Sequence, residues 1–336
     1  MKYIFKKHIE MKNTFPAKLK TTLYQTTKEI LNITYDLFKI MIPLIILVKI
    51  IEELGGIKYI AMGLEPFMQF VGLPASMGLV WATTMLTSIY GGMIIFISTT
   101  NEALSVAQVT VLGSMMLLAH SLPIEVRIAQ KAGVRLLFTL LLRVGGALLL
   151  GFLLHQIYTM GDWLTQTNNA LWSPKTETDT TLLTWAINQI KTLFQVFLVI
   201  AALVIFLKLL KLSGIEKLLA FILKPLLKII GLSEKTISIS IIGITLGLTY
   251  GGGLLINEAK KGNISQLDIL GSLSLLALCH SLIEDTLLIM LLGADLSGIL
   301  YSRVIFSLLL VTILIRIAKS LNQTILNKYF VYPTEP

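Results

Sequence analysis

The chain has 336 residues, 55% of them hydrophobic and 14% charged, with a mean hydropathy of +0.80 and a formal net charge of +9. A soluble domain carries roughly 25% charged residues, so this composition excludes an ordinary soluble fold. The one cysteine, Cys279, excludes an internal disulfide and any CxxC metal site.

Residues 1–23 form a basic segment. Seven lysines (Lys2, Lys6, Lys7, Lys12, Lys18, Lys20, Lys28) fall within the first thirty residues with no central apolar run, so no cleavable signal peptide is expected. Lysines flanking apolar spans point to the cytoplasmic side of a bilayer and its anionic lipid, not to nucleic acid. A helix is expected over 24–53, kinked near Pro43, followed by an amphipathic stretch over 57–71 and a span over 75–98. Pro66–Asn101 and Thr236–Asn257 contain no Asp, Glu, Lys or Arg, and both exceed the ~20 residues that cross a bilayer core. Ser105-x-x-Gln108 reads as a capping box, with Ser265-x-x-Asp268 as a looser counterpart. Pro123 disfavours helical geometry at Leu122 and sets a break there. Segments 105–134 and 265–294 are therefore expected to be broken or re-entrant helices. Final spans are expected over 136–157 and 297–318. Between the halves an extracytoplasmic linker is expected over 158–182, with Trp163 and Trp172 suited to a membrane interface, and a tail covers 321–336.

The chain repeats itself. Comparison of 90–145 with 250–305, without gaps, gives 14 identities in 56 positions. Four are leucines; the informative ones include Tyr90-Gly91-Gly92 with Tyr250-Gly251-Gly252, His120-Ser121 with His280-Ser281, and Arg143-Val144 with Arg303-Val304. Glu125 falls on Asp285. The repeats cover 24–157 and 183–320, and equivalent segments carry opposite charge. Residues 52–65 hold Glu52, Glu53 and Glu65 against Lys58, whereas 208–235 hold six lysines against Glu216 and Glu234. Arg127, Lys131 and Arg135 follow the first His-Ser pair, where the second offers Glu284, Asp285 and Asp295. Charge bias sets orientation, so the halves are expected to be inverted, with both termini cytoplasmic. Lys260-Lys261, placed outside by this scheme, oppose it.

A His, a Ser and a carboxylate at membrane depth are costly unless they face partners or a cavity. Interrupted helices at matching positions of inverted repeats are the pattern of a substrate site near the midplane. His120 and His280 suit substrate binding, proton shuttling or metal ligation, or each caps a broken helix. The glycine pairs free backbone for a ligand or permit close packing. Tyr90 and Tyr250 suit a ligand hydrogen bond or an ordinary buried one. Arg143 and Arg303 are expected to form structural ion pairs with Glu125 and Asp285. Asn101-Glu102 and Asn257-Glu258 look alike out of register and read as loop or interface residues.

The two Tyr-Gly-Gly copies, His-Ser-Leu with "IEDT" at 283–286, and the Arg-Val of each last span resemble the Gate, or nucleoside-recognition, domain. That domain occurs in ferrous-iron transport protein B, in spore maturation proteins A and B, and in stand-alone membrane proteins. The resemblance covers the chain after about residue 24 and implies a transporter-like core with nucleosides or metal ions as cargo. No G-x-x-x-x-G-K-[ST] phosphate loop is present, so the GTPase of the iron transporter is missing. The first-half motif reads HSLPIE where the second reads HSLIED.

The expectation is an all-α, polytopic integral membrane protein of two inverted-topology repeats, multi-pass in the cell (inner) membrane. It is read as a non-enzymatic, cofactor-free transporter-like protein for a small polar solute, nucleoside-like by resemblance. The alternatives are a divalent metal ion permease or a non-transporting assembly or regulatory protein. Substrate-binding residues are expected to be His120, Ser121, Glu125, His280, Ser281, Glu284, Asp285, Tyr90, Gly91, Gly92, Tyr250, Gly251 and Gly252, with Arg143 and Arg303 as the structural cations. The partners are the lipid bilayer and a small polar solute or metal ion, with no nucleic acid; homo-oligomerisation is left open.

Overall fold

A computed structural model describes residues 2–99, 103–171 and 181–333. Asn101, Glu102 and Trp172 lie outside the described residues. In chain order the helices are α1 (Lys2–Glu53), α2 (Gly56–Phe70), α3 (Met77–Leu86), α4 (Ile89–Thr99), α5 (Val106–Leu118), α6 (Leu122–Lys131) and α7 (Leu136–Gly161). The second half follows with α8 (Leu182–Ser213), α9 (Ile215–Ile230), α10 (Glu234–Leu246), α11 (Leu248–Lys260), α12 (Gln266–Leu278) and α13 (Glu284–Met290). A π-helical turn, Ser297–Ser302, leads into α14 (Arg303–Ser320), and α15 (Gln323–Tyr329) is the last helix. Among the described residues there are no β-strands beyond two isolated bridges. The protein is an all-α integral membrane protein, and α2–α7 recur as α9–α14. Among the described residues five helical stretches are long and apolar enough to cross a bilayer: Leu23–Ile51, Val106–Lys131, Leu136–Gly161, Leu182–Leu210 and Ser297–Ser320.

Two compact units cut across the repeats. One comprises Met1–Leu47 with Thr176–Ile215, and so takes the first helix of each repeat; the other comprises Val48–Lys175 and Glu216–Pro336. In the first unit the Lys208 ammonium binds the Glu29 carboxylate at 2.6 Å and donates to Thr26 Oγ1 at 2.8 Å, linking α1 to α8.

The second unit is built around α5 and α12. Each has ten consecutive buried residues, Val109–Leu118 and Ile269–Leu278; a helix apolar on all sides is one that belongs inside. The N-terminus of α5 is set as the capping box requires. Ser105 Oγ accepts from Gln108 N at 3.2 Å, and Gln108 Oε1 accepts from Ser105 N at 3.0 Å. Loss of such a cap costs about 1 kcal/mol, so Ser105→Ala is expected to lower the thermal midpoint measurably, with Ser238→Ala, on an exposed helix face, as the neutral control. Outside the core run α7 and α14. Leu137, Leu141, Leu149, Leu153 and Ile157 are exposed along one side of α7, as are Ile305, Leu309, Ile313 and Ile317 along α14. Stripes of this size mark a surface covered by lipid or by another protein.

The expected span over 75–98 is not a single crossing. α3 and α4 double back at Thr87-Ser88 into a helical hairpin, and α10 and α11 do the same at Gly247 (φ +99). The arms contain ten to thirteen residues, or about 15–20 Å of helix, well short of the ~30 Å core. At the open end of the second hairpin the Lys235 ammonium clasps the Glu258 carboxylate, to which Asn263 Nδ2 donates at 3.0 Å; these partners push that carboxyl down to about 2.

The second hairpin also accounts for Lys260-Lys261. Residues 130–135, 258–266 and 327–333 share one face, where Arg135 N donates to Phe330 O (2.8 Å) and Gln266 Nε2 to Tyr332 O (2.9 Å). A cavity of about 430 Å³ there is lined by Gln130, Lys131, Lys260, Gly262, Gln266 and Tyr332, among others. On the opposite face Val106 N donates to Gln166 O (3.0 Å), Asn168 N to Leu104 O (2.8 Å) and Asn168 Nδ2 to Leu292 O (2.9 Å). Lys131, Arg135, Lys235, Lys260, Lys261 and Lys328 thus lie on the first face, Asp162 and Asp295 on the second. A crossing at 236–257 would have put the lysine pair on the wrong side; a hairpin returns it to the basic one.

Candidate functional site

Helices α5 and α12 both stop at equivalent points. Backbone carbonyls near their ends are left without helical partners, and each repeat fills the gap with its own histidine and arginine. His120 Nδ1 lies 3.1 Å from Leu117 O and 3.2 Å from Met116 O, and His280 Nδ1 lies 2.6 Å from Leu276 O. A carbonyl only accepts, so Nδ1 carries the proton in both rings. Arg143 Nε donates to Leu118 O at 2.8 Å and Arg303 Nε to Leu278 O at 3.1 Å. The two rings meet across the repeats, with Nε2 atoms 3.0 Å apart. Glu125 Oε1 lies 3.3 Å from both Nε2 atoms, and Asp285 Oδ2 is 3.9 Å from that of His120.

The carboxylates are not equivalent. Arg143 NH1 donates directly to Glu125 Oε2. Arg303 NH2 donates instead to His280 O at 2.9 Å and stands 3.8 Å from Asp285 Oδ2, which has no hydrogen-bond partner. The expected pairing of Arg143 with Glu125 is therefore close, and that of Arg303 with Asp285 loose. Both guanidinium groups are fully buried, and each keeps one nitrogen unpartnered, Arg143 NH2 and Arg303 NH1.

The breaks are held by the hairpin tips. Ser121 and Ser281 have left-handed backbones (φ +49 and +45), uncommon for non-glycine residues. The break falls at residues 119–121, just before the expected Leu122, and the second repeat makes it without a proline. Ser121 N donates to Thr84 O (3.1 Å) and Ser121 Oγ to Thr87 O (2.8 Å); Leu282 N donates to Ile244 O (2.8 Å). A Cβ on Gly247 would lie 2.8 Å from Ser281 Oγ. Each hairpin tip thus supplies backbone to the broken helix of its own repeat.

Of the residues expected at the site, His120, Glu125, His280 and Asp285 converge, with Ser121 and Ser281 shaping the breaks. Glu284 lies half-buried in the first turn of α13, and Tyr90 half-buried at the start of α4. Tyr250, expected as a ligand contact, is corrected: its side chain is 66% exposed. Its hairpin arm packs through glycines and turns that edge outward. Gly92, Gly251 and Gly252 are packing positions. A Cβ on Gly92 would overlap Thr84 Oγ1, one on Gly251 would lie 2.5 Å from Gly243 Cα, and one on Gly252 would lie 2.5 Å from Ile128 Cγ2. Gly91 N donates to Ser88 Oγ at 3.3 Å. Buried Cys279 lies in the second break, outside the His120–His280–Asp285 group. Thr84, Thr87, Ile244 and Gly247, which no sequence motif marks, contribute mainly backbone at the tips; the misplaced Lys260-Lys261 was a signal that could have led there.

The architecture defines an inverted-repeat, polytopic helical membrane protein with a buried polar cluster where two hairpins meet two broken helices. In comparison with known proteins, it is similar to the uncharacterized membrane protein YvoD of Bacillus subtilis (strain 168), at 25% identity over 279 residues, 82% of this chain and 88% of that one. No protein-family model matches the chain, and no solved structure matches it.

Proposed function

We propose that the protein is a membrane carrier for a small polar solute, nucleoside-like in keeping with its Gate-domain resemblance. Its binding site lies between the inverted repeats, where the tips of α3–α4 and α10–α11 meet the breaks of α5–α6 and α12–α13. The observation that carries this reading is that convergence: four interruptions of helical backbone gathered on one buried polar cluster. Interrupted helices in inverted repeats are the arrangement by which carriers present backbone groups to a substrate at the midplane. Hairpins that reach about halfway also suit gates, since moving a tip opens one side without breaking a spanning helix. The unpartnered Asp285 Oδ2, Arg143 NH2 and Arg303 NH1 weigh against a purely structural, fully ion-paired interior. The basic face is assigned to the cytoplasm of the cell (inner) membrane by the positive-inside rule, which puts the C-terminal tail inside.

The test is uptake of labelled uridine and adenosine into proteoliposomes. Saturable uptake is expected for wild type, falling at least tenfold in His280→Ala and unchanged in Ser238→Ala. Folded, reconstituted wild-type protein that accumulates neither nucleoside would refute the nucleoside-like cargo.

A further inference from the structure

We infer that His120, His280 and Asp285, with Glu125 beside them, form a binding site for one late first-row divalent metal ion, tying the two repeats together at their pseudo-twofold junction. The site coincides in place with the proposed carrier site, but the inference rests on donor geometry and not on transport.

Four observations carry it. First, both imidazoles spend Nδ1–H on backbone carbonyls, so in their neutral forms both Nε2 atoms are acceptors, and they face each other at 3.0 Å. Two lone pairs at that distance repel unless an electrophile lies between them. Second, Glu125 Oε1, another acceptor, is 3.3 Å from both. Third, Asp285 Oδ2 is buried, lacks a hydrogen-bond partner and points to the same place, 3.9 Å from His120 Nε2. A shared proton bridges only two of these acceptors; a metal ion takes three, the two Nε2 atoms with a carboxylate oxygen. Fourth, donor atoms of His120, His280 and Asp285 lie within 4.8 Å of one another; the 3.0 and 3.3 Å separations of the two Nε2 atoms and Glu125 Oε1 match the ligand–ligand edges of about 3.3 Å that tetrahedral zinc bonds of about 2.0–2.1 Å require, and the Asp285 edge, at 3.9 Å, is wider.

The donor set selects the ion. Two imidazoles and carboxylate oxygen suit Zn²⁺, Co²⁺, Fe²⁺ or Ni²⁺ and disfavour Mg²⁺ and Ca²⁺, which seek all-oxygen shells. The carbonyls that accept from Nδ1 are the outer-shell partners metal-bound histidines use to fix their tautomer and orientation. Glu125 and Asp285 offset Arg143 and Arg303, so the charge of a divalent ion would be met only in part, by Glu284, which adjoins Asp285 with a third carboxyl group.

The experiment is Co²⁺ titration of the purified full-length chain, carrying a tag without histidine and stripped with chelator. One equivalent of Co²⁺ is expected to give an intense tetrahedral d–d spectrum, displaced by one equivalent of Zn²⁺ and untouched by excess Mg²⁺. His120→Gln, His280→Gln and Asp285→Asn should each weaken binding at least 100-fold, while His155→Gln, on the acidic face, leaves it intact. The wild type supplies a readout that does not depend on any variant folding: X-ray absorption of the Zn²⁺-loaded protein should show two imidazoles in the first shell. Fewer than two imidazoles, or no stoichiometric Co²⁺ spectrum in protein that is folded by its thermal transition, overturns the metal site and leaves a proton shared by the histidine pair. Nucleoside uptake without metal binding, or metal binding without uptake, separates this inference from the carrier proposal.

Discussion

Replacement of Arg143 by Met is expected to destabilise the folded protein by about 3–5 kcal/mol, the cost of leaving a buried ion without its partner. The guanidinium group is fully buried, donates directly to Glu125 Oε2 and satisfies Leu118 O at the open end of α5. Met fills much of the volume but leaves a carboxylate and a carbonyl stranded. Denaturant titration in mixed micelles would measure the loss. The double variant Glu125→Gln/Arg143→Met should be less destabilised than the single one, because a neutral amide costs less to bury than an unpaired carboxylate. Arg143→Lys should not rescue fully, since one ammonium cannot reproduce the two directional contacts made by Nε and NH1. A single variant no less stable than wild type would show that this pair is dispensable. Arg303→Met is expected to cost less through its carboxylate, which it meets only at 3.8 Å, and more through the carbonyls of Leu278 and His280.

The second large effect is expected in the hairpin of α10–α11. A Cβ on Gly251 would lie 2.5 Å from Gly243 Cα and 3.0 Å from its nitrogen. Backbone cannot rotate away as a side chain can, so Gly251→Ala must part the arms and shift the Gly247 tip. Overpacking of this kind costs about 1–3 kcal/mol, and here the upper end is expected. Gly253, two residues on, is different: a methyl group added there would meet nothing within 4 Å. Gly253→Ala should therefore be neutral, or stabilising by up to about 1 kcal/mol through helix propensity. Opposite signs at two glycines in one motif separate packing from propensity. In the other hairpin the obstacle to Gly92→Ala is a side chain, Thr84 Oγ1, and Thr84→Ala should rescue it in part. Equal effects at Gly251 and Gly253 would show that the arms are not closely packed.

Much of this architecture could be read from the sequence because the signals are local. Apolar length marks α7 and α14, Ser105 and Gln108 set the start of α5, and lysine asymmetry reveals inversion without knowledge of any tertiary contact. The duplication is equally plain, since His120, Arg143 and Tyr90 reappear 160 residues on. The failure at 75–98 and 236–257 has a physical cause. A hairpin of two ten- to thirteen-residue arms and one full crossing contain similar numbers of apolar residues, and neither needs a charge at its midpoint. Only the side on which the chain emerges differs, and Lys260-Lys261 held that information.

The sequence by itself determined the membrane class, the twofold repeat, its inversion and which polar residues are buried in apolar surroundings. The tertiary structure alone decided that His120 and His280 meet at Nε2, that Glu125 rather than Asp285 takes the close arginine contact, and that Tyr250 faces outward. The reason is that spacing along a helix fixes which way a side chain points relative to its own axis, whereas the meeting of two side chains 160 residues apart depends on how the axes cross. That crossing is set by packing of glycines and large side chains between elements, which no single segment encodes.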